Sequence, residues 1–126
     1  MDQTHFTASE IEKLAVLINC FNAIGANMLV QNGEAWKQAY GNLQKFKQKN
    51  KDFLEHIHAI SLKSSAVSAL KLSEDLEHPP ADAIQMIGLV HRCLLVSVFL
   101  SHCIAASEKK IAFQTTSEHV LARRLN

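Results

Sequence analysis

Seven histidines in 126 residues are the first place to look for chemistry. In Glu55-His56-Ile57-His58, Glu55 and His58 stand three apart, which sets a carboxylate and an imidazole on one side of a helix. A di-iron bundle needs two such pairs and further carboxylates. The nearest second pair, Asp75 and His78, falls where Pro79-Pro80 must end a helix. His91 and His102 are eleven residues apart and share a helix face. They lie about 16 Å apart along the axis, too far to hold one metal. The dense His and acid spacing of a hemerythrin-like bundle is absent. The pattern predicts no metal and no cofactor, with His56, His58 and His119 in solvent and His91 and His102 at the margin of a buried helix.

Nucleophilic chemistry has no better footing. There is no Gly-flanked Ser elbow, no phosphate-cradling Gly-rich loop and no dinucleotide fingerprint. Cys20, Cys93 and Cys103 are odd in number, lack paired spacing and sit in apolar surroundings, with only Arg92 nearby as a cation. Such thiols read as buried and reduced. The residues point away from an enzyme.

Ile60-Ser61-Leu62-Lys63-Ser64-Ser65-Ala66 resembles the acceptor segment of histidine phosphotransfer domains, which are helical bundles of about this size. In that family the phosphoryl acceptor is a His two residues before Leu-Lys, and Gly usually follows. Here those two positions hold Ile60 and Ser64, and His58 is turned too far round the helix to substitute. The resemblance covers less than a tenth of the chain and implies at most a binding module without phosphotransfer.

Charge is balanced overall at +1 but uneven locally. Residues 34–72 carry seven lysines against Glu34, Asp52 and Glu55, and residues 73–85 carry Glu74, Asp75, Glu77 and Asp82. A basic patch followed by an acidic one suits complementarity within or between protein chains. Lys45, Lys47, Lys49 and Lys51 alternate with Phe46 and Asn50, so a helix spreads them two to a face. A nucleic-acid binder needs more phosphate contacts and an element that reads bases. A nucleic-acid-associated regulator and a His-liganded or small-molecule bundle are the alternatives. The expected partner surface is Lys45, Lys47, Lys49 and Lys51 with Glu74, Asp75 and Glu77, engaging an unidentified protein.

The elements that must carry these residues are helices. Four Gly and two Pro are few, and Ala, Leu, Lys, Gln and Ser abound. Thr7-Ala8-Ser9-Glu10 fits a capping box. Behind it Ile11, Leu14, Ile18, Phe21, Gly25 and Met28 recur at three-four spacing, and Gly25 on that seam admits a close neighbour. Asn32-Gly33 is expected to stop the helix through a left-handed Gly. A second helix is expected along Trp36, Ala39, Leu43, Phe46, Asn50, Phe53, Ile57 and Ile60, with Asn50 at a wet edge or setting register. A third runs from about Ser64 to Glu77, with Val67, Leu70 and Leu76 inward. A fourth opens at Pro80, and a last one spans Thr116 or Ser117 to Leu125, with Val120, Leu121 and Leu125 inward and Arg123-Arg124 near its end. The fold expected is an all-α antiparallel bundle of four to five helices, one domain over residues 1–126.

The fourth helix contains Cys93–Ala106, which has no formal charge. Fourteen residues fall short of the roughly 20 that span a bilayer, and MDQTHFTASE has no leader character, so a soluble cytoplasmic protein is expected. A helix apolar all round must be buried all round, and a chain this short struggles to surround one. A homodimer through Leu95, Val96, Phe99, Leu100 and Cys103 follows as the expectation. The function expected is non-enzymatic: a small adaptor, regulator or inhibitor that binds macromolecules.

Overall fold

The computed structural model describes the backbone of residues 5–64 and 67–125 and side chains up to residue 116. Its elements are α1 (Ala8–Leu29), α2 (Gly33–Lys49), α3 (Lys51–Lys63), α4 (Ala69–Asp75) and α5 (Ala83–Leu125). They form a single all-α bundle around one contiguous core.

α1 starts where the capping box places it. Thr7 Oγ1 accepts from Glu10 N at 3.2 Å and Glu10 Oε1 accepts from Thr7 N at 3.0 Å. Its inward seam is Leu14, Leu17, Cys20, Phe21, Ile24, Gly25 and Met28. The turn after α1 differs from expectation: Gln31 takes the left-handed conformation (φ 59°), Asn32 caps α2 through Ala35 N, and Gly33 begins α2. Asn prefers the cap because its short side chain reaches the first free N–H groups.

Asn50 divides the expected second helix. Its backbone departs from helical geometry (φ −132°, ψ 42°), and its Nδ2 donates back to Phe46 O at 3.1 Å, so α2 ends there and α3 begins. A short amide that bonds its own turn competes with the helix. The bend brings Phe46, Phe53 and Phe6 together edge to face, with centroids 6.4 Å and 6.0 Å apart, and Lys13 Nζ lies 5.5 Å from the Phe53 ring. Ile60, at the acceptor position of the phosphotransfer-like segment, is buried in this core; Ser65 and Ala66 lie outside the described residues.

α4 is shorter than expected and is capped by Ser68. It buries Ala69, Leu72 and Ser73, with Leu76 following, while Val67 and Leu70 are only partly covered. Asp82 caps α5, accepting from Ile84 N at 2.7 Å, so the helix opens at Ala83 instead of Pro80. α5 then runs unbroken for 43 residues, about 64 Å. The separate last helix does not exist, because Thr115-Thr116-Ser117 holds neither Pro nor Gly to stop the one before it. The side chains of Val120, Leu121, Arg123, Arg124 and Leu125 lie outside the described residues.

α1 and α5 run antiparallel and form the main packing pair of the bundle. Three contacts fix their register. A Cβ on Gly25 would stand 3.3 Å from Cys93 Cβ, Ser97 Oγ donates to Asn22 Oδ1 at 2.7 Å, and Phe6 N donates to Ser107 Oγ at 2.8 Å. At Ser107, α5 passes the start of α1 and continues beyond it.

Candidate interaction surface

α5 has two apolar faces, and the bundle covers one. Leu89, Cys93, Val96, Leu100 and Cys103 point into the core, joined by the buried Ser97 and Ser107. On the opposite side Ile84 is 79% exposed, Ile87 61%, Leu94 57%, Val98 47% and Leu95 41%. His91, His102 and Ala105 complete that stripe in the open. Ile84, Ile87, His91, Leu94, Val98 and Ala105 share the three-four spacing of one helix face. The spacing locates a seam but not which of two apolar seams meets α1.

The bare face is not the one expected for self-association. Val96, Leu100 and Cys103 are consumed by the protein's own core, where they oppose α1, and Phe99 packs half-buried against it. Of the five residues expected at a dimer contact, Leu95 alone belongs to the bare stripe. Ile84, Ile87, Leu94 and Val98 are its other large apolar residues.

Beside the stripe lies the outer side of α1, where Ala15, Asn19, Asn22, Ala26 and Leu29 are exposed. No formal charge occurs in α1 between Lys13 and its end, and Arg92 is the one charge in α5 between Asp82 and Glu108. Arg92 turns away from this face, and its Nη2 donates to Asp75 Oδ2 at 2.7 Å. The two helices therefore present an uncharged surface, grooved along Asn22, Gly25, Ala26 and Leu29 on one side and Val90, Leu94 and Val98 on the other. At one end the groove deepens into an apolar cavity of about 430 Å³ between Met28, Leu29, Trp36, Ala83, Met86 and Ile87.

The charged residues are arranged otherwise. Lys47 and Lys51 line one depression with Glu55 and Glu74, so the basic and acidic segments face each other within the chain. Lys45 and Lys49 are exposed, as is Glu77. Asp75, expected on the partner surface, pairs with Arg92 and stays partly exposed.

The histidines and thiols are dispersed. Among the described residues no three His, Cys, Asp or Glu side chains converge. His56 stands edge-on to Phe6, and His58 Nδ1 pairs with Ser68 Oγ, tying α3 to the cap of α4. His119 lies outside the described side chains. Burial pushes the Cys93 thiol up to about 11, against a smaller lowering from Arg92, and burial also raises Cys20. Both thiols are protonated and shielded near neutral pH.

No family model, curated protein or solved structure matches this chain.

The apolar character of α5 is more extensive than the uncharged run at Cys93–Ala106 indicates. Ala83–Thr116 contains an 18-residue window of mean hydropathy 1.9, long and apolar enough to cross a membrane, of which 28% is buried within the bundle. The uncharged run is shorter because it ends at Arg92, whose guanidinium pairs with Asp75 away from the bare stripe.

Proposed function

We propose that this protein is a non-enzymatic interaction module that works in the cytoplasm as a homodimer, with the bare α1–α5 face as its self-association surface. The observation carrying this reading is that face: five large apolar side chains at 41–79% exposure along one stripe, without a charge among them. Monomeric proteins seldom leave a contiguous apolar patch of this kind in water. Its absence of charge favours a protein surface of like character over an anionic lipid or a polyanion, which would call for a basic rim. The low reactivity of the buried thiols fits a reducing compartment. With the self-association face occupied, Lys45, Lys49 and Glu77 remain outside it and are the surface for an unidentified protein partner, which would make the dimer an adaptor or regulator.

The test is the molar mass in solution by light scattering across a concentration series, for wild type and Leu94→Glu. A wild-type dimer that becomes a monomer of unchanged helix content in the variant supports the proposal. A wild-type monomer at every concentration, or a monomer that floats with neutral phosphatidylcholine vesicles through the same face, overturns it.

A further inference from the structure

Two features of this surface stand open in the monomer. Phe113, on the part of α5 that continues past Ser107, is 72% exposed. At the other end of the same helix, the cavity beside Trp36 stands open and lined by apolar side chains. Phe113 lies eighteen residues beyond Leu95, five full helical turns, so it continues that edge of the bare stripe past the exposed Lys109. The stripe thus runs from Ile84 to Phe113, and its midpoint falls within half a residue of Val98.

A two-fold axis overlays an antiparallel stripe on itself most completely at that midpoint. On α1 the exposed residues run from Ala15 to Leu29, and their midpoint is Asn22. Asn22 is also the residue bonded to Ser97, next to Val98. The outer faces of both helices therefore share one centre, which is the condition for two copies to stack α5 on α5 and α1 on α1 together. In that register a position fifteen residues after Val98 in one copy meets a position fifteen before it in the other. Those positions are Phe113 and Ala83, and Ala83 lines the Trp36 cavity.

We infer that, resting on the dimer reading above, each copy inserts Phe113 into the Trp36 cavity of the other. The occupant is a second copy, and the cavity is complete only in the dimer. Its volume of about 430 Å³ admits a phenyl ring with room to spare. The area agrees as well: an α5 stripe about 44 Å long and an α1 side about 21 Å long, each roughly 10 Å wide, together offer roughly 650 Å². Specific interfaces bury roughly 600–1,000 Å² per partner. The assembly also explains how α5 persists past Ser107, since an isolated helical extension is marginal in water.

Trp36 is the sole tryptophan, so its emission reports the cavity. The experiment follows Trp36 emission and light-scattering mass together over a dilution series, for wild type, Phe113→Ala and Val98→Glu. Expected is a blue shift of wild-type emission that rises with the dimer fraction. Phe113→Ala, at an exposed site that leaves the fold intact, should lose the shift and weaken dimerisation roughly tenfold or more. A Phe113→Ala protein that dimerises as wild type with unchanged emission overturns the insertion and leaves the dimer reading standing. A wild-type monomer overturns both. As an independent measure, mixing Phe113→Cys with Ala83→Cys should give a disulfide-linked heterodimer under mild oxidation. Its absence while wild type dimerises counts against the register.

Discussion

Gly25 of α1 and Cys93 of α5 meet so closely that a Cβ on the glycine would lie 3.3 Å from the cysteine Cβ. Both atoms are fixed to their backbones, so no side-chain rotation relieves the contact, and the helices must separate by a few tenths of an ångström. Alanine gains about 1 kcal/mol over glycine inside a helix, which offsets most of that cost. Gly25→Ala should therefore stay within about 1 kcal/mol of wild type, while Gly25→Val should lose about 2 kcal/mol or more by overpacking. Urea denaturation of the two variants decides it; equal stabilities would mean that the helices are not held at this distance.

The Cys93 thiol lends the fold a pH dependence on the alkaline side. Burial moves it from an ordinary 9.0 to about 11. Below pH 9 it is protonated in both folded and unfolded chains, and its contribution is intact. Between pH 9 and 11 the unfolded chain releases the proton first, so stability falls as pH rises, by on the order of 3 kcal/mol over the whole interval. Cys20 acts in the same direction. Urea midpoints from pH 8 to 10.5 should fall more steeply for wild type than for Cys93→Ala. Parallel slopes would rule out this source.

Ser107 holds the N-terminal segment to α5. Its Oγ accepts from Phe6 N at 2.8 Å and donates to Cys103 O at 2.7 Å, all within the buried interior. Ser107→Ala leaves the Phe6 N–H without this acceptor and should cost about 1–3 kcal/mol. Ser101 also donates to a backbone carbonyl, at 2.8 Å from Ser97 O, but is exposed, so water replaces the bond and Ser101→Ala should change stability by less than about 0.5 kcal/mol. Similar losses in the two variants would show that burial is not what makes Ser107 matter.

The four lysines of the α2–α3 region should not bind nucleic acid. Lys47 and Lys51 share a depression with Glu55 and Glu74, which leaves only Lys45 and Lys49 outside it. So few phosphate contacts sustain little affinity at physiological salt. Changing Lys45, Lys47, Lys49 and Lys51 to Gln should leave retention on duplex DNA unaltered. Steep salt-dependent binding by wild type that the quadruple variant abolishes would restore the regulator reading.

The sequence by itself determined the helices, the capping box at Thr7 and Glu10, the close approach at Gly25 and the excess of apolar surface on α5. These are local or periodic properties: a cap spans four residues, and a seam repeats every three or four. Helix ends were less legible. A polar residue in an apolar seam, such as Asn50, can break a helix or ride along it, and the break goes with the packing of Phe46 against Phe53 across the bend; at Thr116 the polar run rides along α5. The candidate surface was decided by the tertiary structure. α5 carries two apolar stripes on opposite sides, and hydrophobicity alone ranks them equally. The side that meets α1 is chosen by fit: Cys93 against Gly25 and Ser97 against Asn22 need small side chains at matching heights, which the stripe of Leu94 and Val98 does not supply. Burying Val96, Leu100 and Cys103 there is what leaves Ile84, Leu94 and Val98 facing out.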